Sequence, residues 1–137
     1  MNRMTATWTG DMGFSYTSAT GHSLVTDAPT ASGGGDTAAT PMELVLLGLI
    51  GCTGLDVSSI LRKMKEPLEG LEVVADFERA EAHPKIYTKI HLTYRIKGAV
   101  QEKKVKQAIQ LSEGTYCSVS AMLKSTVDIT NTYELLG

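Results

Sequence analysis

Residues 41 to 65 constrain this chain more than any other segment. Thr40-Pro41-Met42-Glu43 has the chemistry of a helix start. Threonine can cap, proline suits the first helical position, and Glu43 stands where a capping box closes. No further proline occurs until Pro67, so the segment predicts one helix. Its apolar face reads Leu44, Leu47, Gly48, Gly51, Leu55, Ile60, Leu61 and Met64. Val45, Leu46, Leu49 and Ile50 lie off that stripe, and a helix apolar nearly all round is expected to be buried on every side. Its roughly 25 residues span about 37 Å, close to the diameter expected of a domain this size. One small chain hardly covers such a helix, so the pattern predicts a homodimer in which the second copy completes the cover.

A length of 137 residues predicts a single domain, residues 1–137. Thirteen basic against fifteen acidic residues give a formal charge of −2, which argues against an electrostatic nucleic-acid binder. The apolar run Leu44–Leu55 is about twelve residues, short of the roughly twenty that span a bilayer. Met1-Asn2-Arg3-Met4-Thr5 does not resemble a secretory leader. The expectation is a soluble, cytoplasmic protein with no membrane partner. Two cysteines are too few for a disulfide scaffold.

Around the helix the pattern favours strands. Thr5–Trp8, Phe14–Thr17 and His22–Thr26 are short, threonine- and aromatic-rich and punctuated by glycine, which suggests an antiparallel meander. Residues 28–40, with Gly33-Gly34-Gly35, look like a mobile surface connection and lack the ending of a phosphate loop. Leu71, Val73, Ala75 and Phe77 alternate with Glu72, Val74, Asp76 and Glu78 in one strand. Ile90, Leu92, Tyr94 and Ile96 alternate with His91, Thr93 and Arg95 in the next. Val100–Glu113 reads as an amphipathic helix with Lys103, Lys104 and Lys106 outward; Cys117 then opens a short helix, and a strand from Val127 closes the chain. The order β-β-β-α-β-β-α-α-β predicts an α+β fold of antiparallel sheets packed around a long central helix.

The candidate chemistry is carried by sulfur. Cys52 lies in Gly51-Cys52-Thr53-Gly54, and Gly48, Gly51 and Gly54 together cost the helix about 3 kcal/mol. Two explanations stand side by side: close approach of another backbone with Cys52 as a small hydrophobe, or room around a reactive atom. Cys117 sits at a helix start, where free amides and the helix dipole favour a thiolate; an unreactive residue of the cap is the equal alternative. The two form a plausible redox couple if the fold brings them together. His22, His83 and His91 show no ligand spacing to each other or to a cysteine, so neither a metal nor a cofactor is expected. No Gly-x-Ser-x-Gly elbow supports a hydrolase.

Pro41–Leu46 leading to Gly51-Cys52-Thr53-Gly54-Leu55-Asp56-Val57, then Phe77-Glu78-Arg79, His83–Tyr87 and Cys117-Ser118-Val119-Ser120, resembles the OsmC/Ohr superfamily, and most of all its YhfA-like branch. The resemblance implies an intertwined homodimer with sites at the subunit interface. It also implies reduction of an organic hydroperoxide, with Cys52 attacking the peroxide, Cys117 resolving the sulfenic acid and an unidentified dithiol restoring both. Two departures qualify the match. The peroxidases carry a glutamate where this chain has Met42, with Glu43 one step along; they also hold the thiolate with an arginine from the first strands. No arginine occurs here between Met4 and Leu61, which leaves Glu43 and Arg79 as candidate supports. The alternative is an OsmC-like dimer that binds a small apolar ligand without catalysis; a purely structural homodimer is the third possibility.

Overall fold

The computed structural model describes residues 1–137 throughout. The chain divides into two compact units, residues 1–46 and 47–137. In the first, β1 (Thr5–Gly10), β2 (Gly13–Thr17) and β3 (Ser23–Thr26) form the expected antiparallel meander, in the order β1-β2-β3. Gly10 and Asp11 take φ of 109° and 48° at the β1–β2 turn, a backbone that glycine adopts without strain. Trp8, Phe14, Leu24 and Val25 are all exposed, so this sheet carries a broad apolar surface.

Residues 28–40 are not the loose connection that their composition suggests. They wind around Asp27, whose carboxylate accepts from Ala28 N, Gly35 N, Thr37 N and Thr37 Oγ1 at 2.6–3.2 Å. These donors hold the Asp27 carboxyl below the usual carboxylate range, the Thr37 hydroxyl foremost. Gly34 sits where a Cβ would collide with the Ala28 backbone. Glycine is required there by close approach rather than by flexibility.

Helix α1 (Pro41–Lys63) begins with the expected capping box: Thr40 N donates to Glu43 Oε1 at 2.8 Å, and Glu43 N donates to Thr40 Oγ1 at 3.2 Å. It ends before Lys65, at φ 60°, and Pro67. Its 23 residues are long and apolar enough to cross a membrane by those measures alone. Thr53 in its middle is fully buried, and Asp56 accepts a hydrogen bond from the buried Ser112 hydroxyl.

In the second unit the buried side of α1 is Leu49, Thr53, Val57 and Leu61, one residue per turn. This corrects the expected stripe, in which Leu47, Gly51 and Leu55 faced inward. Leu47 is 51% and Leu55 71% exposed, and a Cβ on Gly48 or Gly51 would meet nothing within 4 Å. Where nearly every position is apolar, periodicity has no contrast with which to choose a face. The helix is therefore not buried on every side within its own chain.

β4 (Gly70–Arg79) pairs antiparallel with β5 (Tyr87–Lys97) over ten positions. Ile90, Leu92, Tyr94 and Ile96 are buried as the alternation requires. β6 (Asp128–Leu135) joins β5 in parallel, so the second sheet is mixed rather than antiparallel, in the order β4-β5-β6. The physical reason lies in the connection: α2 (Glu102–Leu111), a π-helical turn (Ser112–Tyr116) and α3 (Ser118–Leu123) together carry the chain back to the end from which β5 began. Val105, Ala108 and Ile109 of α2 are buried, as its amphipathic pattern predicts.

Candidate functional site

Cys52 precedes the fully buried Thr53 on α1, and this places its side chain at the margin of the buried stripe, half-buried. Asp56, four residues on, shares that helix side. Cys117 arrives from the other end of the chain. The π-helical turn opens the backbone after α2, and Cys117 N donates to Ser112 O at 2.7 Å where the turn closes. Cys117 then caps α3, its Sγ accepting from Ser120 N at 3.3 Å. The two sulfurs and one Asp56 carboxylate oxygen all lie within 4.8 Å of one another. Ser112, fully buried, donates from Oγ to Asp56 Oδ2 at 3.0 Å and links the turn to α1.

The electrostatics of Cys117 reverse the expectation drawn from its helix start. The Ser120 and Val119 amides favour a thiolate, as a helix N-terminus should, but burial outweighs them and Cys52 alongside adds to it. Only 3% exposed, the Cys117 thiol is pushed up to about 11. Cys117 is therefore not the activated thiol. Both cysteines are free.

Below Cys117 lies a polar group that sequence reasoning did not single out. Burial lifts the Glu113 carboxyl, while the neighbouring Tyr94 and Asn131 donors pull it back; Asn131 Nδ2 donates to Glu113 Oε2. The Tyr94 hydroxyl is buried beside Thr53 and Glu113 and interacts with both. Burial first, and the Glu113 charge second, raise its pKa far above the phenol range. A cavity of about 500 Å³ opens beside Asp56, bordered by Ile60, Lys63, Met64, Leu111 and Tyr116.

The two expected supports are engaged elsewhere. Glu43 is held in the capping box with Thr40. Arg79 Nε donates to Lys85 O at 2.9 Å, and its guanidinium lies 5.7 Å from the centre of the Tyr87 ring, so it braces the β4–β5 hairpin. It makes no hydrogen bond or ion pair with either thiol. His91 bonds Thr130 and Thr132 through its two ring nitrogens, while His22 and His83 are exposed. The residue beside the sulfurs is Asp56. Its four-residue spacing from Cys52 was the available signal, whereas Ser112 and Glu113 carried none.

Comparison with known proteins agrees with this geometry. Residues 33–132 match the family model described as OsmC-like protein. The chain is 37% identical over 131 residues to Protein YhfA of Escherichia coli (strain K12), covering 95% of each. A hypothetical protein from Aquifex aeolicus superposes with a TM-score of 0.86 at 30% identity, covering 98% of this chain and 96% of that one. An organic hydroperoxide resistance protein OsmC from Legionella pneumophila shares the fold, with a TM-score of 0.74 at 16% identity and coverage of 98% and 96%. On the matched residues and the shared architecture, this chain belongs to the OsmC-like protein family.

Proposed function

We propose that this protein is a two-cysteine thiol redox protein that reduces organic hydroperoxides and acts as a cytoplasmic homodimer. The observation that carries the proposal is the convergence of two free thiols, 65 positions apart in sequence, to within 4.8 Å. Their unequal environments divide the roles. Half-buried Cys52 is the residue a substrate can reach, and buried Cys117, beside it and closed to a substrate, is left for the second step.

Cys52 as thiolate attacks the distal peroxide oxygen and the O–O bond breaks. The alkoxide takes up a proton and leaves as the alcohol, and Cys52 becomes a sulfenic acid. The Cys117 sulfur then displaces the sulfenic oxygen. A disulfide forms, and water leaves with the Cys117 proton. An external dithiol returns two electrons and two protons to restore both thiols. The cavity beside Asp56 offers Ile60, Met64, Leu111 and Tyr116 to the apolar part of the substrate.

The homodimer is supported by what α1 leaves open. Leu47, Ile50, Gly51, Gly54 and Leu55 line a groove against Leu71 and Val73, and open space stands beside Gly48 and Gly51. A second copy gives those glycines the close neighbour that justifies their cost in helix stability.

Reaction with cumene hydroperoxide followed by dimedone tests the assignment. Cys117→Ser is expected to accumulate a dimedone adduct on Cys52, and the unaltered protein a disulfide. No adduct and no consumption of peroxide would remove the activity. One observation favours the non-catalytic alternative: neither Arg79 nor Glu43 pairs with a thiol. Retention of an apolar ligand by an unreactive protein is the outcome that would select it.

A further inference from the structure

The redox reading uses the two sulfurs and gives Asp56 no part. Three donor atoms, two thiol sulfurs and a carboxylate oxygen, lie within 4.8 Å of one another. No cation compensates them. The ion pairs join Arg95 to Glu72 and Glu134, and Lys106 to Glu102. Lys63 borders the same cavity as Asp56 but forms no ion pair with it. A carboxylate and two sulfurs this close together, with no ion-paired base among them, offer a positive ion three donors.

We propose that Cys52, Asp56 and Cys117 form a three-ligand site for a thiophilic divalent cation of the Zn²⁺ and Cd²⁺ type, with the fourth position open toward the half-exposed side of Cys52. Donor type selects this class, because thiolates favour soft or borderline ions and a carboxylate beside them suits a divalent one. Distances agree. Tetrahedral Zn²⁺, with bonds of about 2.3 Å to sulfur and 2.0–2.2 Å to oxygen, sets its donors roughly 3.5–3.8 Å apart. The three atoms therefore need to close by about 1.3 Å at most, whereas bringing two sulfurs from that separation to a disulfide bond of about 2.05 Å needs up to about 2.7 Å.

The surroundings are those of a supported site. Ser112 Oγ–H holds Asp56 Oδ2, and a ligating carboxylate is commonly fixed by such a hydrogen bond. Ser120 N–H donates to Cys117 Sγ at 3.3 Å and helps fix the position of that sulfur. The thiol protons pass to solvent on binding, and no oxidation state changes. The proposal goes beyond the redox reading and does not depend on it: a bound cation occupies both sulfurs and competes with their oxidation.

Titration of the reduced, metal-free full chain with Cd²⁺, followed by thiolate-to-cadmium charge-transfer absorption, tests the site. One Cd²⁺ per chain, displaced by Zn²⁺, is expected. Cys52→Ser and Cys117→Ser are each expected to lose part of the band. Asp56→Asn keeps both thiols and the shape of the side chain, and is expected to bind about tenfold more weakly or worse. No charge-transfer band in the unaltered protein, or equal affinity in Asp56→Asn, would overturn the proposal. The titration of the unaltered protein keeps it refutable should a variant fail to fold. Peroxide consumption measured on the metal-free protein separates the two readings. Turnover without cadmium binding ends the metal site alone, and cadmium binding without turnover ends the peroxidase alone.

Discussion

Replacing Cys52 by serine isolates the chemistry of Cys117 and tests the division of roles. The Cys117 thiol rises from an ordinary 9.0 to about 11, and its largest cause is burial, which the substitution leaves in place. Cys52 is a lesser cause, so its removal brings the value part of the way down. Two pKa units correspond to about a hundredfold less thiolate at any pH well below 9, and alkylation follows the thiolate. With part of the shift lost, folded Cys52→Ser should react with iodoacetamide between about tenfold and a hundredfold more slowly than the same variant in denaturant at the same pH. Intact-mass spectrometry of quenched samples gives the rate, and a pH series gives the midpoint, expected above that of an ordinary thiol. A midpoint at or below about 8.5 would refute the argument. It would mean that the α3 amides prevail over burial, and Cys117 rather than Cys52 would then be the candidate for first attack.

Gly51→Leu adds a side chain into open space and removes a helix-interior glycine, so the chain should stay folded while the proposed homodimer dissociates; sedimentation velocity with a circular dichroism melt checks both. Asp27→Asn should flatten the acid limb of the melting curve. Because the Asp27 carboxyl is held down in the folded chain, its contribution is present above the ordinary value of 3.8 and is lost as pH falls through the folded one. An acid limb unchanged in the variant would show that the loop does not depend on that charge. Tyr94→Phe removes a buried hydroxyl that interacts with Thr53 and Glu113, so stability in urea should fall by about 1–3 kcal/mol. An unchanged urea midpoint would show that the hydroxyl makes no bond there.

Much of the fold was legible along the chain. The capping box at Thr40–Glu43, the alternation of β5 and the inward face of α2 were all read from near neighbours, and each is realised. The misjudged elements share a cause. The face of α1 buried within its own chain is not legible because apolar residues surround its first half. The 28–40 loop looked slack because the anchor that organises it, Asp27, lies just outside it. The parallel β6 could not be foreseen from strands that carry no mark of their direction.

Element type, element order and the two sulfur-bearing positions were determined by the sequence alone. Helical and strand periodicities, caps and turns depend on residues within a few positions of one another, and those are fixed by covalent order. Only the tertiary structure decided that Cys52, Asp56 and Cys117 converge. It also decided that Arg79 and Glu43 are bound elsewhere, and that Cys117 is held as a thiol rather than activated. Desolvation and through-space proximity depend on which distant segments fold against one another, and no local pattern encodes that.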